Sequence, residues 1–168
     1  MAETKIRKYA VIERLGKMDV DVITLTPDTA TEACAAGDVI FQADELPNMV
    51  SVNAGTCMVH SIGVLDDDDN GQAIDIVFMD TTGLLDAGDD GGSIDAADGV
   101  IPDAIIGVVS ITTYFDGIAW KYAHKENVGL ILKAAASTKS IYVSAVNRGS
   151  TATWTAAGLR LQIGVIKD

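Results

Sequence analysis

Clustered carboxylates, and a few soft or nucleophilic side chains, are the groups in this sequence whose spacing could support chemistry. The turn Asp66-Asp67-Asp68-Asp69-Asn70-Gly71 and a second stretch holding Asp86, Asp89, Asp90, Asp95 and Asp98 gather the oxygen donors that hard cations need. From Asp86 to Asp90, with Gly91 next, the order partly matches a calcium loop of the D-x-[DN]-x-[DN]-G type. Gly88 stands at the third position, however, and Ala97 at the twelfth, where a bidentate Glu belongs. No helical pattern flanks the loop, so it is not an EF-hand. Two readings stay open: a looser calcium site in either cluster, or a pair of solvated acidic turns that keep the particle soluble.

Soft and nucleophilic chemistry is less well supported. Cys57 and His60 are three apart on an expected strand, where side chains alternate faces, so they point to opposite sides and cannot share one ion. His-Glu-x-x-His is absent, as is the His-x-Glu with Pro-Cys-x-x-Cys of zinc deaminases. Gly-x-Ser-x-Gly and the glycine-rich phosphate loops are missing too. The two histidines are His60, inside an expected strand, and His124, at a strand end beside Lys125 where it should be exposed. A Ser-His-Asp triad can form from remote residues, but nothing here selects one. The expectation is a non-enzyme with no catalytic residue, no metal site and no cofactor. Trp120 alternates with Tyr122 on one strand face, which suits sheet packing, a protein interface or carbohydrate stacking. Trp154 lies in the Ser/Thr-rich run 150–155, where an exposed aromatic would be a reasonable contact residue.

These groups must be carried by strands. Two apolar alternating runs, Cys57–Leu65 and Gln72–Met79, flank the Asp-rich turn, and Asn70-Gly71 tolerates positive φ, so a tight hairpin is expected there. Val20 and Val22, with Ile23 and Leu25 out of phase, mark a first strand ending near Thr26-Pro27-Asp28. Thr29–Gly37 reads as a loop or single helical turn, Val39–Gln42 as a second strand, and Met49–Val52 as a short strand after Pro47-Asn48. Asp80–Gly99, rich in Asp and Gly, reads as a long flexible loop, and Pro102–Ile106 as one helical turn. Strands follow at Val108–Tyr114, at Ile118–His124 after a second hairpin signal in Asp116-Gly117, and at Val128–Ala134, Ser140–Val146 and Leu159–Ile166. About nine or ten short strands with turns between them favour an antiparallel sandwich or barrel over βαβ units. The expected fold class is therefore mainly β, an antiparallel β-sandwich with a long acidic Gly-rich loop.

Bulk properties bound the rest. A chain of 168 residues suits one domain, and at that size roughly 70% of the unfolded surface can be buried without disulfides or metal. With 48% apolar and 5% aromatic residues, aliphatic side chains must fill the core. No apolar run approaches the ~20 residues of a membrane span, and MAETKIRKYAVIERLG lacks a signal-peptide pattern, so synthesis in a cytoplasm is expected. Cys34 and Cys57 form no Cys-x-x-Cys pair and are expected as buried or semi-buried thiols. The net charge of −12 disfavours broad nucleic-acid binding. It is unevenly spread: residues 1–17 hold Lys5, Arg7, Lys8, Arg14 and Lys17 against Glu3 and Glu13, a net of +3, which leaves −15 on the remainder. Residues 1–18 thus read as an N-terminal arm, either a docking arm or an ordinary solvated segment, ahead of a sandwich domain at 19–168.

The order of these segments resembles a family of small virion proteins of tailed bacteriophages, the head decoration or cement proteins. The resemblance runs through Ala36-Gly37-Asp38-Val39-Ile40-Phe41, Glu45-Leu46-Pro47-Asn48, Val50-Ser51-Val52, Gly55, Ser61-Ile62 with the Asp-rich turn, and Ile74-Asp75-Ile76-Val77-Phe78. It continues through Ile101-Pro102-Asp103-Ala104, Gly107-Val108-Val109-Ser110, Asn127-Val128-Gly129-Leu130, Lys133-Ala134-Ala135, Ser140-Ile141-Tyr142-Val143 and the closing run from Ala157 to Asp168. Each piece is ordinary β-sheet vocabulary; their order and spacing carry the likeness, which covers most of the chain from about Asp19 onward. Asp80–Gly99 departs from the family pattern in being longer and more acidic. The resemblance implies a jelly-roll-like sandwich that trimerises over junctions between major capsid proteins and stabilises the shell from its outer surface. It implies a virion protein made in the host cytoplasm, with no catalytic residues, no nucleic-acid or membrane partner, and the major capsid protein as its target. The basic residues Lys5, Arg7, Lys8, Arg14 and Lys17 would form the docking arm. The alternative is a calcium-dependent receptor- or glycan-binding module of a head fibre or tail, with calcium in the acidic loops and sugar on Trp120 or Trp154.

Overall fold

The computed structural model describes residues 19–82, 91–94 and 104–168. Strands dominate them: β1 (Asp19–Leu25), β2 (Ala33–Cys34), β3 (Val39–Leu46), β4 (Thr56–Asp66), β5 (Ile74–Met79), β6 (Ile105–Ile111), β7 (Phe115–Asp116), β8 (Lys121–Lys125), β9 (Leu130–Lys133), β10 (Ile141–Asn147), β11 (Ala152–Thr153) and β12 (Leu159–Lys167). β12 shows why such segments extend. In LRLQIGVIK the apolar residues Leu159, Leu161, Ile163 and Val165 recur at every second position and are all buried, while Arg160 and Gln162 between them are exposed.

The strands form two main sheets. One runs β1-β12-β4-β8-β7, with β9 also paired to β4; the other runs β3-β10-β5-β6; β2 and β11 make a small separate ribbon. Every pairing is antiparallel. With the three two-residue strands and β9 set aside, the eight remaining strands pair in a nested order. The first joins the last (β1 with β12), the second the seventh (β3 with β10), the third the sixth (β4 with β8) and the fourth the fifth (β5 with β6). A long antiparallel ribbon folded over on itself pairs in this way, and the result is a jelly roll. The expected antiparallel sandwich is what the chain forms.

The core lies between the two sheets. Ile62 and Val64 of β4 meet Ile74, Ile76 and Phe78 of β5, with Phe41, Met49, Trp154 and Ile163 in the same buried cluster. Fully burying one such aliphatic side chain contributes roughly 1.5–3 kcal/mol, so a large aliphatic core offsets the scarcity of aromatics. A second, smaller cluster of Val39, Val77, Met79 and Val146 occupies the opposite face of the four-stranded sheet, with Ala43 and Tyr142 against it.

Several sequence-based expectations need correction. The Asp-rich turn is no hairpin: β4 and β5 lie in different sheets, and the segment between them crosses the sandwich. Both flanks of β4 are already taken, by β12 on one side and by β8 and β9 on the other, so no ladder position is left for β5. Of the pair Asn70-Gly71 only Gly71 adopts positive φ, at 58°, and Asp69 does so at 59° in place of Asn70, so the turn was legible in part and the pairing was not. Met49–Val52 forms bends instead of a strand. Asn48 turns the chain at φ 56°, and the segment is tied by the Val50 N–H to the Lys139 carbonyl at 3.2 Å. Thr29–Gly37 holds the ribbon strand β2, not a helical turn, and β3 runs four residues further than Gln42, to Leu46. Ile105 and Ile106 belong to β6, not to a helical turn; Pro102 and Asp103, like most of the acidic loop, lie outside the described residues. The second hairpin forms only in part. The expected strand Val108–Tyr114 is β6, which ends at Ile111 and lies in the other sheet, so β8 pairs with the two-residue β7 instead. Ile118 and Trp120, expected on the strand, lie in the loop, where the Gly117 N–H donates to the Trp120 carbonyl at 2.9 Å.

Candidate interaction surface

The acidic turn is the first candidate site, and its carboxylates are already engaged. Asp66, buried at the end of β4, accepts the Asp68 N–H at 3.1 Å and the Gly71 N–H at 2.7 Å. Asp67 pairs with the Arg160 guanidinium at 2.7 Å. Asp68 accepts the Thr155 N–H at 2.7 Å and its hydroxyl at 3.0 Å, tying the turn to the chain leading into β12. Asp69 lies 3.1 Å from Lys121 Nζ, which also contacts Asp116 at 2.6 Å and so joins this turn to the β7–β8 hairpin. The hydrogen bonds to Asp116 and Asp69 raise the Lys121 pKa. The cluster works as a latch built from carboxylates, N–H groups and cations. Among the described residues, no group of three or more His, Cys, Asp or Glu side chains is arranged to hold a metal ion.

The soft and nucleophilic candidates are scattered. Cys57 is buried and His60 exposed, on opposite sides of β4 as the alternation requires. Burial, reinforced by Asp168, pushes the Cys57 thiol up to about 11, far from a thiolate. Cys34 is buried as well, and its thiol donates to the Glu32 carbonyl at 3.7 Å. His124 is exposed, stacks on Tyr122 with ring centroids 6.2 Å apart, and lies 3.6 Å from Glu126. Trp154 is not the exposed contact residue considered above: it is one of the largest fully buried side chains and belongs to the main core cluster. Lys5, Arg7, Lys8, Arg14 and Lys17 lie outside the described residues, as do Asp86, Asp89, Asp90, Asp95 and Asp98.

What the residues do build is a surface. The outward face of the six-stranded sheet carries an apolar row in register across four strands: Val20 faces Ile166, Ile166 faces Met58, and Met58 faces Ile131. Toward the other end of the strands, Leu65 faces Tyr122 and Tyr122 faces Phe115. No Asp or Glu occupies an outward position on any of the six strands, although the whole chain holds 24 acidic residues. Phe115 packs on Trp120, with centroids 5.9 Å apart and rings tilted by 33°. Trp120 in turn covers Gly117, where an added Cβ would approach the indole to 2.6 Å, so a side chain at 117 would displace it. The sequence carried a signal for this face in the phase break of Val20 and Val22 against Ile23 and Leu25. The latter two pack on the core and the two valines point away from it.

No protein-family model and no curated protein matches the chain. Among solved structures it is similar to the capsid of Ralstonia phage GP4, at 21% identity and a TM-score of 0.42, over 91% of this chain and 86% of that one. It is also similar to the structure of tomato aspermy virus, at 8% identity and a TM-score of 0.41, over 97% and 93% of the two chains. A third likeness, to the T13 particle of IBDV at 12% identity and a TM-score of 0.37, covers 88% of this chain and 30% of that one. These likenesses concern architecture alone; the jelly-roll assignment stands on the nested strand pairing, an arrangement used by viral capsid and lectin domains.

Proposed function

We propose that this chain is a non-enzymatic virion structural protein that binds the outer surface of a tailed-phage capsid as a decoration or cement protein and stabilises the shell. It acts as a homotrimer, is made in the host cytoplasm, and contacts the major capsid protein through Lys5, Arg7, Lys8, Arg14 and Lys17. The observation that supports it is the jelly-roll closure of β1 on β12, together with the order of segments along the chain. The physical logic is mass action: a protein that binds only the assembled shell raises the stability of that state. An acidic body suits a surface exposed to solvent at high copy number, where like charge opposes aggregation.

A second reading has one specific observation in its favour. Trp120 is partly exposed and packs on Phe115, its indole offering an aromatic face of the kind on which sugars stack, and jelly rolls also serve as lectin domains. It would make the chain a receptor- or glycan-binding module of a head fibre or tail. Calcium for that role would have to come from groups other than the engaged turn Asp66–Asp69.

Co-sedimentation with expanded tailed-phage capsids, using the full chain and a form lacking residues 1–18, tests the first reading. Saturable pelleting of the full chain, lost on truncation while circular dichroism is unchanged, is expected. Truncated protein that still pellets overturns the arm. Binding to a glycan array without any shell binding overturns the decoration role in favour of the second reading.

A further inference from the structure

Asn70-Gly71 carries a chemistry of its own besides forming a turn. Of the five asparagines in the chain, Asn70 is the one followed by glycine. With no side chain on the next residue to crowd the approach, the Gly71 nitrogen reaches the Asn70 side-chain carbon more easily than in other Asn-x pairs. Glycine is also what this position requires. Gly71 sits at φ 58°, and a Cβ there would run into the methylenes of Lys121 that lie over it. The turn therefore depends on the residue that makes its asparagine labile. In the fold both reacting groups are held by other partners. The Gly71 N–H donates to Asp66 Oδ2 at 2.7 Å, and Asn70 Nδ2 donates to the Thr153 carbonyl of ribbon strand β11 at 2.9 Å. Asp66 is itself buried and further fixed by the Asp68 N–H at 3.1 Å.

We propose that Asn70 is a deamidation site held unreactive by the Asp66–Gly71 and Asn70–Thr153 hydrogen bonds and converted when the turn opens. The reaction needs no partner but water. The Gly71 nitrogen loses its proton to solvent and bonds to Asn70 Cγ. The Cγ–Nδ2 bond breaks, and the nitrogen takes up a proton and leaves as ammonia, which closes a five-membered succinimide. Water then adds to one of the two ring carbonyls and opens the ring to aspartate or isoaspartate. Asp66 is a guard here and not the base: a carboxylate is far too weak a base to strip an amide, and its hydrogen bond keeps the proton in place. Either product puts a carboxylate, which has no proton to donate, opposite the Thr153 carbonyl. It also adds a negative charge beside Asp66, Asp67, Asp68 and Asp69, where like charges repel. Isoaspartate lengthens the backbone by one carbon as well, which shifts the Gly71 N–H away from Asp66. Conversion thus releases the turn from β11 and does not reverse.

The test follows residue 70 by peptide mass spectrometry, which reads the exchange of NH2 for OH, in the full chain kept in mildly alkaline buffer. The folded chain is compared with the same chain in urea and with folded Asp66→Ala and Val143→Ala, circular dichroism serving as the fold control. Folded wild type should react roughly tenfold or more slowly than the chain in urea, the order set by two ordinary hydrogen bonds that must both open before attack. Asp66→Ala should close most of that gap. Val143→Ala hollows the core side of the other sheet and leaves the turn alone, so it should stay near the wild-type rate. Should Asp66→Ala fail to fold, Lys121→Ala takes its place, since it uncovers Gly71 and releases Asp69. Converted protein, separated by ion exchange, should unfold at lower urea than unconverted protein. Folded wild type that reacts as fast as the chain in urea, or faster, overturns the inference. A turn variant as slow as wild type overturns it too, as does Val143→Ala reacting as fast as the turn variant, which would make global unfolding the gate. Converted protein of undiminished stability overturns the release of the turn.

Discussion

Asp66 closes the turn that follows its own strand onto Gly71: its Oδ2 accepts the Gly71 N–H at 2.7 Å while its Oδ1 accepts the Asp68 N–H at 3.1 Å. The carboxylate lies in the interior, and burial raises its pKa against the pull of those two N–H groups. Asp66→Ala would leave two N–H groups without acceptors in a nearly dry site. A loss of about 2–3 kcal/mol is expected in urea denaturation, since unsatisfied buried groups cost about 1–3 kcal/mol each and part of the turn can relax toward water. A loss below about 0.5 kcal/mol, the level of an ordinary surface substitution, would show that the latch is dispensable.

Trp154 is fully buried, yet its indole N–H finds no acceptor among the described residues. Two substitutions separate its volume from its polarity. Trp154→Ala should cost about 3–5 kcal/mol, as large-to-small changes of aromatic core residues do. Trp154→Phe removes the unpaired donor along with part of the ring, and these effects oppose one another, so a cost under about 1.5 kcal/mol is expected. Equal costs for the two variants in chemical denaturation would mean that the N–H has an acceptor, such as an ordered water.

The contrast between Trp154 and Trp120 shows how much of this protein is legible in its sequence. Strand positions were readable wherever alternation was clean, as in Cys57–Leu65 and Leu159–Ile166, because a period of two reports directly on the buried face. Pairing was not readable, because it depends on which flanks of a strand are already occupied. Asn70-Gly71 has the local chemistry of a hairpin, but β4 had partners on both sides and the chain crossed to the other sheet. Trp154 sits among Ser and Thr, and local polarity suggested exposure; burial there follows from tertiary packing that local composition does not encode. The outward face was half legible: Val20 and Val22 broke phase with Ile23 and Leu25, but their neighbours Ile166, Met58 and Ile131 join them only through register.

The engaged turn predicts its own indifference to calcium. Asp66 accepts two N–H groups, Asp67 holds Arg160, Asp68 holds Thr155 and Asp69 holds Lys121. A cation entering here would have to displace those partners before gaining its six or more oxygens. Whatever millimolar calcium does to the melting temperature of the full chain, Asp67→Asn and Asp69→Asn should leave that response unchanged within about 1 °C, less than the roughly 2–4 °C that 1 kcal/mol produces in a domain of this size. A calcium-dependent rise that vanishes in either variant would place an ion in this turn and strengthen the second functional reading.

Asp75 offers a test with a definite sign. It accepts the Ser110 hydroxyl on one oxygen and Arg148 Nε at 2.7 Å on the other. Burial, the largest single influence, pushes its pKa upward, but the Ser110 hydroxyl and the Arg148 guanidinium together outweigh it and hold the carboxyl below its ordinary value. With the folded pKa below the unfolded one, the ionised carboxylate stabilises the fold. That contribution is complete above the unfolded pKa of about 3.9 and is lost as pH falls through the folded pKa. Arg148 is half exposed, so water screens the pair, and Asp75→Asn should cost only about 1 kcal/mol at neutral pH. The gap between wild type and variant should narrow once pH drops below about 4 and close at more acid pH, where both side chains are neutral. Paired urea titrations across that range measure it. A gap that stays constant from neutral pH into acid would show that the charge of Asp75 is not what stabilises the junction of β5, β6 and the segment after β10.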